Sequence, residues 1–136
     1  MTQNHPDPQT VQTPWLNVEV FEWNQTAGRS VVLAHGWPDC AQSWFSVAQI
    51  LAQAGWRVVV PSLRGFGQTR FRDDRMPRSG QLSALGRDMV HLVQAMSLQN
   101  PVLVGHDWGA RAAANAVGLE PAMAAALVMV SVGYGT

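Results

Sequence analysis

Asp107 stands at the centre of Gly105-His106-Asp107-Trp108-Gly109, between the apolar run Val102-Leu103-Val104 and an alanine-rich stretch. A carboxylate has a reference pKa near 3.9 and is ionised at pH 7, so it needs no base to become a nucleophile. The two glycines lie two residues before and two after it. That spacing suits a sharp strand-to-helix turn, where the central residue takes a strained backbone and its neighbours must be small. Such a turn lifts the Asp107 side chain to the top of a sheet, beside the positive end of the following helix. An aspartate that merely caps that helix is the plainer alternative. A cap needs no glycine on either side.

A second cluster, His35-Gly36-Trp37-Pro38, follows the apolar run Val31-Val32-Leu33-Ala34. A carboxylate that displaces a leaving group from saturated carbon is left as an alkyl ester. Hydrolysis of that ester requires two N–H groups aimed at the developing oxyanion. The expected donors are the backbone amides of Trp108, after the nucleophile, and Trp37, in the earlier loop. Gly36 permits close approach and Pro38 fixes the loop. His35 is expected to hydrogen-bond loop backbone rather than to act as a base, and His106 is expected to be structural. His5 falls in the N-terminal tail and His91 on a helix surface.

The elements that must position these groups follow from hydrophobic periodicity. Residues 15–23 alternate polar and apolar side chains as a half-buried strand does. Residues 30–34, 56–61, 102–104 and 127–132 are short apolar runs suited to strands buried on both faces. Apolar spacing predicts helices over 41–54, 82–96 and 108–119, with Gly55 after the first and Asn100-Pro101 breaking the second. Strands alternating with helices imply an α/β fold with a mostly parallel sheet and flanking helices. Residues 1–12, with two prolines and few apolar side chains, read as a flexible tail. Residues 13–136 read as one partial core domain.

Composition narrows the function classes. The chain has 136 residues, nine arginines, no lysine, nine acidic residues and zero formal net charge. Zero net charge argues against nucleic acid or an anionic membrane as a partner. A single cysteine, Cys40, excludes an internal disulfide and a cysteine-rich metal site, and a small buried role is expected for it. No basic segment followed by an apolar run opens the sequence, and no apolar stretch approaches the roughly 20 residues that span a bilayer. The expectation is a soluble cytoplasmic protein with no cofactor and no metal. Six tryptophans, at 15, 23, 37, 44, 56 and 108, are scattered over different elements and suit core and pocket lining.

Taken together, His35-Gly36-Trp37-Pro38, Arg64-Gly65-Phe66-Gly67 and Gly105-His106-Asp107-Trp108-Gly109 resemble the N-terminal half of an α/β-hydrolase, in the epoxide hydrolase and haloalkane dehalogenase branch. The resemblance runs from about Trp15 to the C-terminus. It makes the turn at Asp107 a nucleophile elbow and Trp37 and Trp108 oxyanion-hole donors, with His35, Gly36, Pro38, Gly105, His106 and Gly109 supporting the pocket. It implies a small apolar epoxide or halogenated substrate. Dehalogenases of the branch usually carry Asn after His-Gly, where this chain has Trp37. Fluoroacetate dehalogenases carry Arg directly after the nucleophile, where this chain has Trp108, and Arg111 is expected on the helix surface. Epoxide hydrolase is therefore favoured over a haloalkane or haloacid dehalogenase. The family also usually has Asp ahead of Arg-Gly-X-Gly, where this chain has Ser62.

The family's lid, relay acid, base histidine and lid tyrosines would lie beyond Thr136. The expected chain is a core truncated before the lid, able at most to esterify Asp107 once. A non-catalytic half-domain that needs a partner is the alternative from another class. The apolar strand near 127–132 would then form an open edge prone to self-association or to pairing with a complementary C-terminal half.

Overall fold

A computed structural model describes residues 4–132. Its strands and helices are β1 (Gln9–Gln12), β2 (Leu16–Trp23), β3 (Ser30–Ala34), α1 (Phe45–Gln53), β4 (Arg57–Pro61), β5 (Arg70–Phe71), α2 (Leu82–Ala95), β6 (Val102–His106), α3 (Trp108–Leu119) and β7 (Ala126–Val130). The strands form one sheet in the order β1-β2-β4-β3-β6-β7, with β5 paired to β2 off this path. The pairs from β4 through β3 and β6 to β7 are parallel, whereas β2 runs antiparallel to β1, β4 and β5. This is the expected α/β class.

Alternation along the central strands divides the core in two. Val31 and Leu33 on β3, with Val58 and Val60 on β4, pack with Phe45 and Ala48 of α1. Val32, Ala34 and Val59 point the other way, into a cluster with Leu85, Met89 and Val93 of α2 and Ala112, Ala113 and Ala116 of α3. Because side chains on a strand alternate with period two, each central strand feeds both layers, which is why these runs read as continuously apolar. The chain passes from β3 to β4 on one side and then returns to β6 on the other. The crevice between the C-terminal ends of β3 and β6 is therefore the topological switch point, where open α/β sheets bind ligands.

The fold departs from the sequence expectations at several places. The segment assigned to a flexible tail is partly structured: Gln9–Gln12 pairs with Asn17–Val20 of β2, and His5 stacks on Phe45 with ring centroids 4.8 Å apart. A short polar strand with no apolar period is invisible until its partner is known. Residues 41–44 wind as a 3-10 turn before α1, and Ala41 takes the buried place there, leaving Cys40 exposed rather than buried. His91 is half-buried and meets the Trp15 ring edge-on at 4.8 Å, instead of lying on an open helix surface. The last strand spans Ala126–Val130 and is not buried on both faces. Its residues alternate between exposed and half-buried because α3 covers one side and no further strand among the described residues joins its edge.

Gly86 explains how α2 and α3 lie so close. A Cβ at this position would stand 2.6 Å from the Asn115 Cβ and 2.9 Å from the Ala116 nitrogen. Replacing Gly86 with valine should therefore lower stability in urea denaturation by about 1–3 kcal/mol, the usual penalty of an overpacked core. Gly118→Ala on α3, where a Cβ meets open space, should leave stability unchanged or raise it slightly.

Candidate active site

Register places the two motifs side by side. Val32 pairs with Leu103 and Ala34 with Gly105, so β3 and β6 end level and release their loops into the same crevice. A Cβ on Gly105 would strike the backbone of Gly109, and one on Gly109 would strike the carbonyl of Ala34. The strand, the helix after it and the neighbouring strand touch through backbone here, so both glycines are sterically required. Gly36 has a related constraint. Its Cβ would come within 2.8 Å of the Asp107 Cβ and 3.1 Å of Oδ2.

Asp107 adopts φ 54° and ψ −117°, a left-handed conformation that non-glycine residues rarely accept. Its main chain is held on both sides: its N–H donates to the Val130 carbonyl at 3.1 Å, and its carbonyl accepts from Arg111 N–H at 3.2 Å. Although Asp107 occupies the N-cap position of α3, its side chain makes no capping hydrogen bond. The carboxylate instead accepts the Trp37 N–H at 3.1 Å, from a loop 70 residues away in sequence. The capping alternative thus fails to account for the side chain. A cis peptide joins Trp37 and Pro38.

These amides also set the charge of the site. The Trp37 N–H, and after it the Trp108 N–H, hold the Asp107 carboxyl below the ordinary aspartate value of 3.8, with weaker help from His106 and Arg111. Since the folded value lies below the unfolded one, ionisation of Asp107 supports the fold above pH 3.8. That contribution disappears as pH falls through the lower, folded value.

His35 is fully buried, and burial depresses its pKa. Leu63 N–H donates to Nε2 at 3.0 Å, so the proton sits on Nδ1, which faces the Gly36 carbonyl at 2.9 Å. With both ring nitrogens engaged, the neutral ring ties the Trp37 loop to the loop after β4. His106 ends β6 half-buried, near Asp39, Trp44 and Val130, and Pro38 is exposed.

Several residues of the site are not evident from sequence. Ser62 donates its hydroxyl to Oε1 of the buried Glu19 at 2.7 Å, so the carboxylate here comes from β2 rather than from position 62. Thr69 completes this network, accepting the Glu19 N–H at 3.0 Å and donating to the Ser62 carbonyl at 2.7 Å. Arg64 pairs with both carboxylate oxygens of Asp88 on α2 at 2.6 Å and donates to the Ser79 carbonyl at 2.8 Å. Burial pushes the Asp88 carboxyl up against the pull of that guanidinium. Apart from Thr69 and Ser62, seven residues apart, these partners are separated by 15 to 50 residues, and nothing in local spacing announces them.

A hollow of about 420 Å³ opens beside the elbow. Trp37 and Trp108 form its near wall, Phe66, Phe71 and Leu85 are among its apolar sides, and Arg64 and Arg78 reach it as well. Asp107 is bonded to the Trp37 backbone beside this space and does not itself line it. Among the described residues, no cluster of three or more His, Cys, Asp or Glu side chains could hold a metal. No helix there is long and apolar enough to cross a membrane.

A family model described as alpha/beta hydrolase fold matches residues 29–134, and the chain belongs to that family. Within it, the sequence is 34% identical over 126 residues to an epoxide hydrolase of Caballeronia sordidicola, covering 93% of this chain and 37% of that protein. The structure of epoxide hydrolase A from Mycobacterium thermoresistibile superposes with a TM-score of 0.83 at 31% identity, covering 93% of this chain and 39% of that one. A variant of the epoxide hydrolase from Solanum tuberosum gives a TM-score of 0.87 at 30% identity over 98% of this chain and 41% of that one. The chain thus spans about two fifths of the length of these relatives.

The left-handed backbone at position 107 can be tested without any substrate. Asp107→Gly should be more stable than Asp107→Ala by about 1–2 kcal/mol in urea denaturation, because only glycine relieves the strain. Equal stabilities would mean that the turn is unstrained.

Proposed function

We propose that Asp107 is the nucleophile of an epoxide-opening hydrolase and that Trp37 and Trp108 supply its oxyanion-hole amides. The observation that carries this reading is the 3.1 Å hydrogen bond from Trp37 N–H to Asp107 Oδ2. It brings an amide from a separate loop to the carboxylate that would change charge. In the first step a carboxylate oxygen attacks an epoxide carbon. The new C–O bond forms as the ring C–O bond breaks, and the ring oxygen leaves as an alkoxide that takes a proton from water. The two amides then stand where attack on the resulting ester carbonyl would build negative charge.

His35 is unsuited to activating the water for that attack, since both its nitrogens are occupied and it is buried. The step assigned to the described residues is therefore the alkylation of Asp107. Epoxide is preferred over carbon–halogen substrate because Trp37 offers no side-chain amide to a departing halide, while the names of the relatives supply the same preference.

Incubation with styrene oxide should add one substrate mass to the intact protein, mapped by peptide mass spectrometry to Asp107 and absent in Asp107→Asn. The adduct rate should stay level from neutral pH downward and fall only below pH 3.8, as the depressed carboxyl takes up a proton. An adduct elsewhere, or none, would overturn the assignment. Labelling by a 1-chloroalkane but not by the epoxide would move the chain to the dehalogenases.

The edge of β7, which no further strand among the described residues joins, favours a second reading, in which the domain works through pairing with another chain. Val128 and Val130 are 46% and 40% exposed on a strand without a charged residue. In a solution of this chain alone the available partner is a second copy. Sedimentation velocity should reveal association that weakens in Val128→Lys. A monomer at all concentrations, with cooperative unfolding, would remove this reading. Multiple turnover after addition of a chain carrying the remaining strands would support it.

A further inference from the structure

The hollow beside Asp107 has apolar walls and two cations, and only one of those cations is spent on the fold. Arg64 is buried and fully engaged, with Asp88 taking two of its donors and the Ser79 carbonyl a third. Arg78 is different. Its guanidinium lies 4.3 Å from the centre of the Phe71 ring, which fixes its approach to the hollow. Its ionic partner among the described residues is Asp74, at 3.8 Å, and that carboxylate is fully exposed. So loose and solvated a contact leaves the planar fork of donors available. The other arginines of this segment are committed elsewhere: Arg70 to the Gly67 and Thr69 carbonyls, Arg72 to the Thr13 carbonyl and Arg75 to Asp73.

We propose that Arg78 is a specificity residue that receives the carboxylate end of an amphiphilic substrate whose apolar body fills the hollow between Phe71 and the Trp37 and Trp108 indoles. The inference rests on the hollow being the substrate site of the proposed hydrolase. It narrows the substrate class from neutral apolar epoxides to epoxides of carboxylic acids with a hydrophobic spacer. The hollow's size is compatible with such a molecule, because small-ligand sites commonly enclose about 300–1,000 Å³. The carboxylate on Asp107 would repel an acid placed beside it, whereas Arg78 on the wall of the hollow offers that acid a cation.

Binding can be read without any reaction, because two tryptophans line the hollow. Titration of the protein with 4-phenylbutyrate and with 4-phenylbutanamide, followed by tryptophan fluorescence, should give about tenfold tighter binding of the acid, a typical effect of one charge-assisted contact. The ratio should fall to about one in Arg78→Gln and shrink in roughly 0.5 M salt, while Arg78→Lys keeps part of it. Equal affinities in the unmodified protein, an acid preference that survives Arg78→Gln, or no binding of either compound would each overturn the proposal. Styrene oxide labelling of Asp107 separates this outcome from the hydrolase reading. Arg78-dependent acid binding without labelling would leave an acid-binding hollow and remove the chemistry, whereas labelling without acid preference would do the reverse.

Discussion

Backbone contact at the ends of β3, β6 and α3 governs everything else in the site. Three segments meet there with no side chain between them: the Ala34 carbonyl against Gly109, and Gly109 against Gly105. Any Cβ at either glycine would drive the helix away from the sheet. With the helix displaced, Asp107 would lose its left-handed turn and the Trp37 amide would no longer meet the carboxylate. The main-chain bond from Asp107 to the Val130 carbonyl fixes the same point from the opposite flank. A strained residue persists only where its surroundings overdetermine it, and here they do so through steric exclusion and backbone hydrogen bonds together.

The loops around this point are held by buried polar groups rather than by apolar packing. His35 joins the Trp37 loop to Leu63, and Glu19, Ser62 and Thr69 join the next turn to β2. Arg64 then links that turn to α2 and to the chain at Ser79. Each connection satisfies a group whose burial without a partner would be costly, so the network favours one loop arrangement over alternatives. Burial keeps His35 neutral, and its two nitrogens then do opposite work, one accepting and one donating. A protonated ring would present two donors and lose the contact from Leu63.

Much of this was legible from residue order alone, and the reasons are local. Valine-rich runs bounded by glycine or proline identify β3, β4 and β6, and the two glycines around Asp107 identify the turn, because each signal lies within a few adjacent residues. What sequence reading missed is nonlocal or dependent on an edge. Gln9–Gln12 is a strand only because β2 offers it hydrogen bonds, and β7 is half-exposed because α3 covers one of its faces and no described strand joins its edge. Arg64–Asp88 and Ser62–Glu19 join segments 24 and 43 residues apart. The departure at position 62 is visible as a missing aspartate, but its resolution, a glutamate reaching across from β2, requires the register between β2 and β4.

Charge placement follows from the same distinction between committed and available groups. A nucleophilic carboxylate must remain ionised yet not be tied to a cation that would quench it. Backbone amides meet both conditions, since they favour the ionised form through partial charges and carry no net charge of their own. An arginine placed against Asp107 would hold the anion more firmly but would make its lone pairs less available to an electrophile. In this fold the strong cation of the hollow, Arg64, is instead neutralised by Asp88, and Arg111 on α3 acts on Asp107 only at longer range. Asp107, beside the hollow, is consequently an anion held by backbone amides rather than by an ion pair.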